Sequence, residues 1–279
     1  MGRLYLVATP IGNLEDITFR AVRILKEVDL IAAEDTRRTR ELLSYYDIHT
    51  PLTSYHKHNI STKTSYLLNL LQDGKEIALV SDAGLPGIND PGEELVKLAS
   101  DNGILVVPVP GANAALTALV ASGLPSGRFC YEGFLSRSKK NRRRQLEALA
   151  NESRTIIFYE APHRLIDTLT DMEKVWGLRQ IAVCRELTKK FETIWRGTII
   201  EALEHFRENP PRGEITLVVQ GAEPSPLPEY NPVRAVEEVE ELESKGINRK
   251  EAMKTVARQY GKSRREIYNA YLTYKEERI

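Results

Sequence analysis

The run IALVSDAGLPG, residues 77–87, decides how this chain folds. Its first four residues, Ile77 to Val80, are all apolar, which is typical of a strand buried on both faces of a sheet. Ser81, Asp82 and Gly84 follow at once and indicate a tight loop at the end of that strand. The same arrangement recurs through the first half of the chain and predicts an α/β fold with a mostly parallel sheet covered on both faces. The apolar runs are Leu4–Ala8, Leu30–Ala33, Ile77–Val80 and Leu105–Val109, and the helical patterns between and after them are Ile17–Val28, Thr62–Leu71, Glu93–Ala99 and Asn113–Ser122.

Two stretches rich in glycine or proline divide the chain. GLPSG at residues 123–127 and AEPSPLPEYNP at residues 222–232 have the composition of linkers. They predict an α/β domain over residues 1–122, a second α/β domain over residues 123–222, and a small helical tail over residues 233–279. In the second domain the strand spacing predicts a mixed sheet with hairpins. Its predicted strands are Phe129–Phe134, Thr155–Tyr159, Gln180–Arg185, Thr193–Thr198 and Glu214–Gln220, and its predicted helices are Lys139–Ala150, Leu165–Trp176 and Ile199–Phe206.

Charge distribution says more than net charge. The 39 basic and 39 acidic side chains cancel, but residues 137–144 read RSKKNRRR, and residues 249–265 contain Glu251 as their single acid. Local basic patches on a neutral protein favour phosphate binding by chosen faces.

The composition also excludes several classes of protein. The chain has 42% hydrophobic and 28% charged residues, as ordinary globular proteins do. It has no run of about 18 apolar residues and no signal-peptide pattern. Its two cysteines, Cys130 and Cys184, lie in apolar runs, which favours buried thiols over a disulfide or a metal site. We therefore expect a cytoplasmic protein that contacts no membrane.

Three loops follow the carboxyl ends of predicted strands: Thr9–Asn13, Ser81–Gly87 and Pro110–Ala114. Ligands bind at that edge of open α/β sheets. Small residues allow a ligand to approach the backbone, and Asp82 can accept hydrogen bonds from a ribose or an amine. Each loop alone is more typical of a simple tight turn, but the three together favour a ligand site. The chain has no G-x-G-x-x-G fingerprint, Walker A, HExxH or GxSxG motif, which argues against a dinucleotide site of the Rossmann type.

Eight motifs, in order along nearly the whole chain, resemble the RsmI-type branch of the tetrapyrrole-methylase superfamily. The sequence departs from that pattern at Leu85, where the family usually has threonine, at Asn89, where serine commonly precedes DPG, and at Ala112, which occupies the place of a proline. The motifs are LVATPIGNLEDIT (6–18), IAAEDTR (31–37), HKHN (56–59), VSDAG.P...DPG (80–92), ALTAL.ASGLP (115–125), EGFL (132–135), IIFYEAPHR (156–164) and RELTK (185–189).

The resemblance implies a fold, a cofactor and a substrate. It implies two α/β domains of the tetrapyrrole-methylase type with S-adenosylmethionine in the cleft between them, a homodimer and no metal. It implies 2′-O-methylation of a cytidine ribose in small-subunit (16S) ribosomal RNA, either free or in a ribosomal particle. The cofactor contacts that it implies are Pro10, Ser81, Asp82, Leu85, Asn113, Ala114, Glu160 and Leu187.

Catalysis needs few groups. A sulfonium already makes its methyl group electrophilic, so alignment is the main requirement. A ribose hydroxyl is a poor nucleophile, and a nearby base or cation would help it. The candidates for that role are Glu34, Asp35, Glu160, Glu186 and Lys189, each of which is equally typical of a cap or salt bridge.

Two segments are candidates for RNA contact. Tyr55 precedes the HKHN motif and would stack on a splayed base, with His56 and His58 beside it. A metal site at the two histidines is a weaker alternative, because no third ligand stands near. In the basic run, Arg142, Arg143 and Arg144 are predicted to contact phosphates, and the alternative is a solvated helix face.

The tail resembles a helix–turn–helix, with Gly261 in the turn and Ser263 beginning a basic second helix. A pair of helices that packs a dimer fits equally well. Three rival functions also remain: methylation of a tetrapyrrole precursor, methylation of a translation-factor side chain, and nucleic-acid binding without catalysis.

Overall fold

A computed structural model describes residues 1–223 and 229–276, and Met1–Ala222 and Glu223–Ile279 form two compact units. The first unit contains two five-stranded sheets. No helix in the described part of the chain is long and apolar enough to cross a membrane.

The first sheet is parallel throughout, with strand order β3-β2-β4-β1-β5. Its apolar strands are buried by helices on both faces, in two separate clusters. The predicted strands are confirmed, and the structure adds β3 and α2, which the sequence patterns did not indicate. The elements are β1 (Arg3–Val7), α1 (Phe19–Glu27), β2 (Leu30–Ala33), α2 (Thr36–Tyr45), β3 (Leu52–Ser54), α3 (Ile60–Gln72), β4 (Ile77–Val80), α4 (Glu93–Asp101), β5 (Leu105–Val109) and α5 (Ala114–Ser122).

The second sheet is mixed, as predicted, with strand order β6-β7-β10-β8-β9. The first two strands pair in parallel, and the other pairings are antiparallel. Phe158, Leu217 and Val183 on its central strands are fully or almost fully buried against the helices of one face. The elements are β6 (Phe129–Phe134), α6 (Lys139–Ala148), β7 (Thr155–Glu160), α7 (Leu165–Trp176), β8 (Gln180–Arg185), β9 (Thr193–Thr198), α8 (Ile199–Glu208) and β10 (Ile215–Val219).

Helix α5 covers the other face of the second sheet. Ala115, Ala118 and Leu119 pack on Ile157 and Val218, although the helix follows the last strand of the first sheet. Asn113 caps the start of α5 by accepting from the Leu116 N–H at 3.0 Å. The helix therefore ties the two sheets into one unit beside the loops at the edge of the first sheet.

The second unit is a bundle of three helices with its own core, which includes Val236, Val256 and Ile267. Gly261, with φ of 62°, makes the turn between the last two helices. The predicted residues 277–279 of the tail and residues 224–228 of the linker lie outside the described residues. The helices are α9 (Pro232–Ser244), α10 (Arg249–Gln259) and α11 (Arg264–Glu276).

Candidate functional site

A cavity of about 420 Å³ lies between the carboxyl edge of the first sheet and the second sheet. Ligand pockets for small molecules have volumes of roughly 300–1,000 Å³, so this cavity lies within their range. Its walls come from loops after β2, β4 and β5 and from the ends of β7, β8 and β10. The residues that line it include Glu34, Arg38, Asp82, Leu85, Asn89, Asp90, Asn113, Ala114, Tyr159, Glu160, Leu187 and Glu214.

Backbone hydrogen bonds hold the loop after β4 against the loop after β1. The Thr9 N–H donates to the Gly84 carbonyl at 2.9 Å, and the Gly84 N–H donates back to Thr9 at 3.0 Å. The buried Ser81 hydroxyl also donates to the Gly84 carbonyl at 3.2 Å. Gly84 has φ of 83°, a conformation that other residues rarely adopt, so glycine is favoured at this turn. Two of the three strand-end loops predicted to form a site, those after β1 and β4, are thus held together.

Asp82 is fixed at the cavity wall by two partners. Its Oδ1 accepts the Asp35 N–H at 2.9 Å, and its Oδ2 lies 3.5 Å from an Arg38 guanidinium nitrogen. Because β2 and β4 are neighbours in the sheet, the residues that follow them meet at one edge. The Asp82 carboxylate is therefore positioned by the backbone of the adjacent strand end.

Glu34 and Asp90 face the same cavity, and the pKa of each carboxyl group is raised. Burial, with the negative charges of Asp90 and Asp82, raises the pKa of Glu34, although Lys57 and the Asp82 N–H act against the rise. Burial raises the pKa of Asp90, with Asp82 adding to the rise, while the Ser81 hydroxyl and Lys57 act against it. Carboxylates that repel one another in a half-buried cavity favour a cationic ligand.

Glu160 lies at the end of β7 on the opposite wall and is almost fully buried. The Thr168 hydroxyl donates to its Oε2 at 2.5 Å, and the Ala161 N–H donates to its Oε1 at 2.8 Å. Arg164 stands 3.5 Å from the same carboxylate. With its oxygens engaged in this way, Glu160 is a rigid part of the wall.

Aromatic rings complete the second wall. Tyr159 contacts Tyr131 and Phe134 edge-on, with ring centroids 5.2 and 5.7 Å apart. Asn89 donates to the Tyr131 hydroxyl and has φ of 65°, while Gly133 leaves room for the Asn89 amide, which would lie 2.7 Å from a β-carbon there. Burial raises the pKa values of Tyr131 and Tyr159, so both stay neutral at ordinary pH.

The loop Glu186–Lys189 closes against the loop after β1. Gly12 passes so near that a β-carbon there would lie 2.4 Å from the Lys189 side chain. The Thr188 hydroxyl accepts the Asn13 N–H at 3.0 Å, and Thr188 itself has φ of 66°, a strained value for a β-branched residue. This contact holds Leu187 at the cavity.

The predicted cofactor residues divide into two groups. Asp82, Leu85, Asn113, Ala114, Glu160 and Leu187 line the cavity, whereas Pro10 and Ser81 line an adjoining cavity of about 350 Å³. Arg38 and Asp82 are common to both cavities. The sequence reasoning missed Arg38, Asn89, Asp90 and Tyr159. Asn89, Asp90 and Tyr159 lie within the motifs at residues 80–92 and 156–164 but had no role assigned to them, and no local pattern indicated Arg38.

Three of the five candidates for the base are engaged away from the cavity. Asp35 caps α2 and pairs with Arg37 at 2.7 Å. The hydrogen bonds from Arg37 lower the pKa of Asp35. Glu186 and Lys189 pair with each other at 2.9 Å, and Glu186 also accepts the Glu214 N–H. Only Glu34 and Glu160 of these five line the cavity.

Tyr55 does not stack on a base, and that prediction is wrong. Its side chain is 0% exposed, and its hydroxyl lies 3.0 Å from the Thr64 hydroxyl beneath α3. His58 is exposed and His56 half-buried, with ring centroids 5.9 Å apart. Among residues 1–223 and 229–276 no three His, Cys, Asp or Glu are grouped to hold a metal ion.

The prediction that the arginines of the basic run, residues 137–144, contact phosphates is also wrong in part. Arg142 is 4% exposed and its guanidinium donates to the buried Asp171 at 2.7 Å, so it is a core residue that no phosphate reaches. Arg143 donates to the other Asp171 oxygen at 2.7 Å. Arg144 is exposed, as are Arg137, Lys139 and Lys140. Substitution of all three arginines would therefore damage the fold.

Comparison with known proteins agrees with this architecture. The family model for Tetrapyrrole (Corrin/Porphyrin) Methylases matches residues 3–203. Solved structures with the same fold include a cobalt precorrin-4 methyltransferase (17% identity, TM-score 0.60, 78% of this chain and 94% of that one). A uroporphyrin-III C-methyltransferase from Thermus thermophilus complexed with S-adenyl homocysteine is similar too (19% identity, TM-score 0.56, 78% and 97%).

Relatives of much higher identity span almost the whole chain. A Bacillus subtilis protein named ribosomal RNA small subunit methyltransferase I is 54% identical over 97% of this chain and 94% of its own length. A Synechocystis protein of the same name is 51% identical over 98% of both chains. The chain therefore belongs to the tetrapyrrole (corrin/porphyrin) methylase family, alongside these relatives, and is a methyltransferase.

Proposed function

We propose that this protein transfers a methyl group from S-adenosylmethionine to the 2′-hydroxyl of a cytidine ribose in small-subunit ribosomal RNA. The observation that carries the proposal is the identity of about one half, over nearly the full length, to bacterial proteins named for methylation of that RNA. S-adenosylmethionine is the methyl donor of the family. The finer target, a cytidine 2′-oxygen, follows from the motif resemblance.

The cavity residues fit that cofactor. The molecule carries a sulfonium and an ammonium, and the carboxylates of Glu34, Asp82 and Asp90 supply the negative charge that attracts both. Leu85 and Leu187 offer apolar surface for an adenine ring. Asp82 and Asn113, with the loops after β4 and β5 to which they belong, are our candidates for holding the cofactor.

Glu34 is our candidate for accepting the ribose proton. When bound, the cofactor supplies an electrophilic methyl group. Of the two cavity carboxylates among the predicted bases, Glu160 is already engaged by Thr168, Ala161 and Arg164, whereas Glu34 has the raised pKa that suits a general base. Lys57, from the HKHN motif, adds positive charge near Glu34 and Asp90.

The exposed cations of α6 and just before it are our candidates for binding the RNA backbone. Arg137, Lys139, Lys140 and Arg144 replace Arg142 and Arg143 in that role. With ribosomal RNA or a ribosomal particle as substrate, the protein acts in the cytoplasm. The homodimer that the resemblance implies is part of the same proposal.

The decisive experiment is incubation of the protein with labelled S-adenosylmethionine and small ribosomal subunits from a strain that lacks the activity. We expect label in a nucleoside whose ribose resists periodate and alkali, as a 2′-O-methyl group requires. Label on a base, on a ribosomal protein, on a translation factor or on a tetrapyrrole precursor would replace the proposal by the corresponding rival. Tight RNA binding without any transfer would indicate a regulator.

Asp82→Ala is expected to weaken S-adenosylmethionine binding about 5- to 150-fold, which corresponds to about 1–3 kcal/mol for leaving a buried polar group of the cofactor without its partner. Calorimetric titration measures the affinity, and a melting curve checks the fold. Asp101→Ala is the matched control, because its carboxylate is exposed, pairs with Lys97 and lies outside the cavity lining. Equal affinities for the two variants would remove Asp82 from the cofactor site.

A further inference from the structure

The second unit pairs most of its cations with its own acids. Arg234 lies 3.4 Å from Glu238, Lys245 lies 2.6 Å from Glu241, and Arg249 lies 2.7 Å from Glu243. The acidic residues of α9 are thus largely occupied by bonds inside the bundle, including that of Glu240 with Lys275 at 2.6 Å. Among the described residues of the second unit, a cation without an acid partner is therefore in the minority.

Arg258, Arg264 and Arg265 are such charges. Within the described residues none of the three has a carboxylate within 4 Å, and all are exposed. They flank the four-residue turn between α10 and α11. Glu266, the acid in the first turn of α11, is held by the Ser263 N–H at 2.8 Å and by Lys262 at 3.4 Å, so it does not neutralise them.

The start of α11 is rigid. Ser263 accepts the Glu266 N–H at 3.2 Å while Glu266 accepts the Ser263 N–H, which is a reciprocal capping box. Ile267 and Tyr271 anchor the opposite face in the bundle core, with 0% and 6% exposure. The outward residues are therefore presented on a fixed backbone.

The outward face of α11 continues the basic turn with an exposed ring. Arg265, Tyr268, Asn269 and Leu272 follow at helical spacing and are all exposed. Tyr268 is 49% exposed and Leu272 43%. Guanidinium groups beside an accessible aromatic ring and an amide are the chemistry that binds phosphates and stacks an unpaired base.

We infer that the turn between α10 and α11, with the outward face of α11, binds a single-stranded segment of RNA. Arg258, Arg264 and Arg265 contact the phosphates, and Tyr268 stacks on a base. Unpaired positive charge favours a polyanion over the same surface of a second copy of this chain, whose three arginines would repel it. The inference rests on the proposed ribosomal RNA substrate. It assigns part of the binding of that RNA to residues that do not line the methyl-transfer cavity.

The test compares two double variants with equal loss of charge. Arg264→Gln with Arg265→Gln removes two unpaired cations, and Arg234→Gln with Lys245→Gln removes two cations that have acid partners. We expect the first variant to bind small ribosomal subunits about 25-fold more weakly at 0.1 M salt. The slope of log affinity against log salt should fall by about 1.4, since each phosphate contact to a single strand contributes about 0.7. The second variant should bind like the wild type.

Tyr268→Ala separates stacking from charge. It should lower affinity about 5- to 150-fold without changing the salt slope, because stacking releases no counterions. In kinetics, all losses should appear in KM with kcat retained at saturation. Unchanged binding of the arginine variant, or a change of its sedimentation from dimer to monomer at unchanged salt slope, would overturn the inference. If the wild type methylates no RNA in the same assay, the proposed function has failed instead.

Discussion

Asp171→Ala is expected to lower the free energy of unfolding by about 3–5 kcal/mol, the usual cost of leaving a buried charge without its partner. Asp171 is 1% exposed and accepts hydrogen bonds from Arg142 at 2.9 Å and from Arg143 at 2.7 Å. Its removal leaves the Arg142 guanidinium buried between α6 and α7 with no acid. Denaturation by urea, followed by circular dichroism, measures the loss.

Two further variants make this result specific. Asp167→Ala removes an exposed carboxylate one turn earlier on α7 and should cost less than about 1 kcal/mol. Arg142→Met combined with Asp171→Leu should recover most of the stability, because a buried ion pair replaced by apolar side chains is often neutral. A double variant as unstable as Asp171→Ala would show that shape, and not the unpaired charge, causes the loss.

Because of the ion pair between Arg142 and Asp171, we also expect the free energy of unfolding to depend on pH. Burial raises the pKa of Asp171, but the hydrogen bonds from Arg143 and Arg142 outweigh it and hold the pKa below its ordinary value. The stabilisation is therefore complete above about pH 4, the ordinary value of an aspartate, and is lost as the pH falls through the folded pKa. The difference between wild type and Asp171→Ala should shrink on acidification.

This ion pair marks a limit of reasoning from sequence. The phosphate contact predicted for RSKKNRRR and its alternative, a solvated helix face, both require exposed arginines, and nothing near this run in sequence indicates Asp171, which lies 29 residues after Arg142. Tyr55 was misplaced for a related reason: the strand before it has three residues, so no alternation indicated that its ring turns inward. Contacts between distant elements decide both burials.

Sequence patterns, in contrast, predicted nine of the ten strands in the described residues. The four of the first sheet were marked by unbroken apolar runs, as buried parallel strands usually are, and the five of the second sheet by their spacing. The cavity was also predictable in outline. Loops after neighbouring parallel strands must meet at one edge, and Asp82, Leu85 and Asn113 are found there. The walls from the second sheet were reached only through motif resemblance, since a mixed sheet gives no rule for which strand ends face the first.

Glu34→Gln is expected to reduce the rate of methyl transfer about 100- to 10,000-fold, the usual contribution of a general base. Glutamine keeps the shape of the side chain and can still accept the Asp82 N–H, but it cannot take up the ribose proton. The rate is measured in single turnovers on small ribosomal subunits with saturating S-adenosylmethionine. Calorimetry on the same variant reports cofactor affinity separately.

The pH profile identifies the role of Glu34 more sharply than the rate. Glu34 accepts a proton only when ionised, so the wild-type rate should fall as the pH falls through the pKa of Glu34, which lies above that of an ordinary glutamate. Asp90→Asn removes a neighbouring negative charge that raises this pKa, so the acid limb should move to lower pH. Glu34→Gln should lose the limb altogether. A Glu34→Gln enzyme that retains the wild-type limb and binds S-adenosylmethionine more weakly would instead place Glu34 among the residues that hold the cofactor, and the proton acceptor would have to be another group.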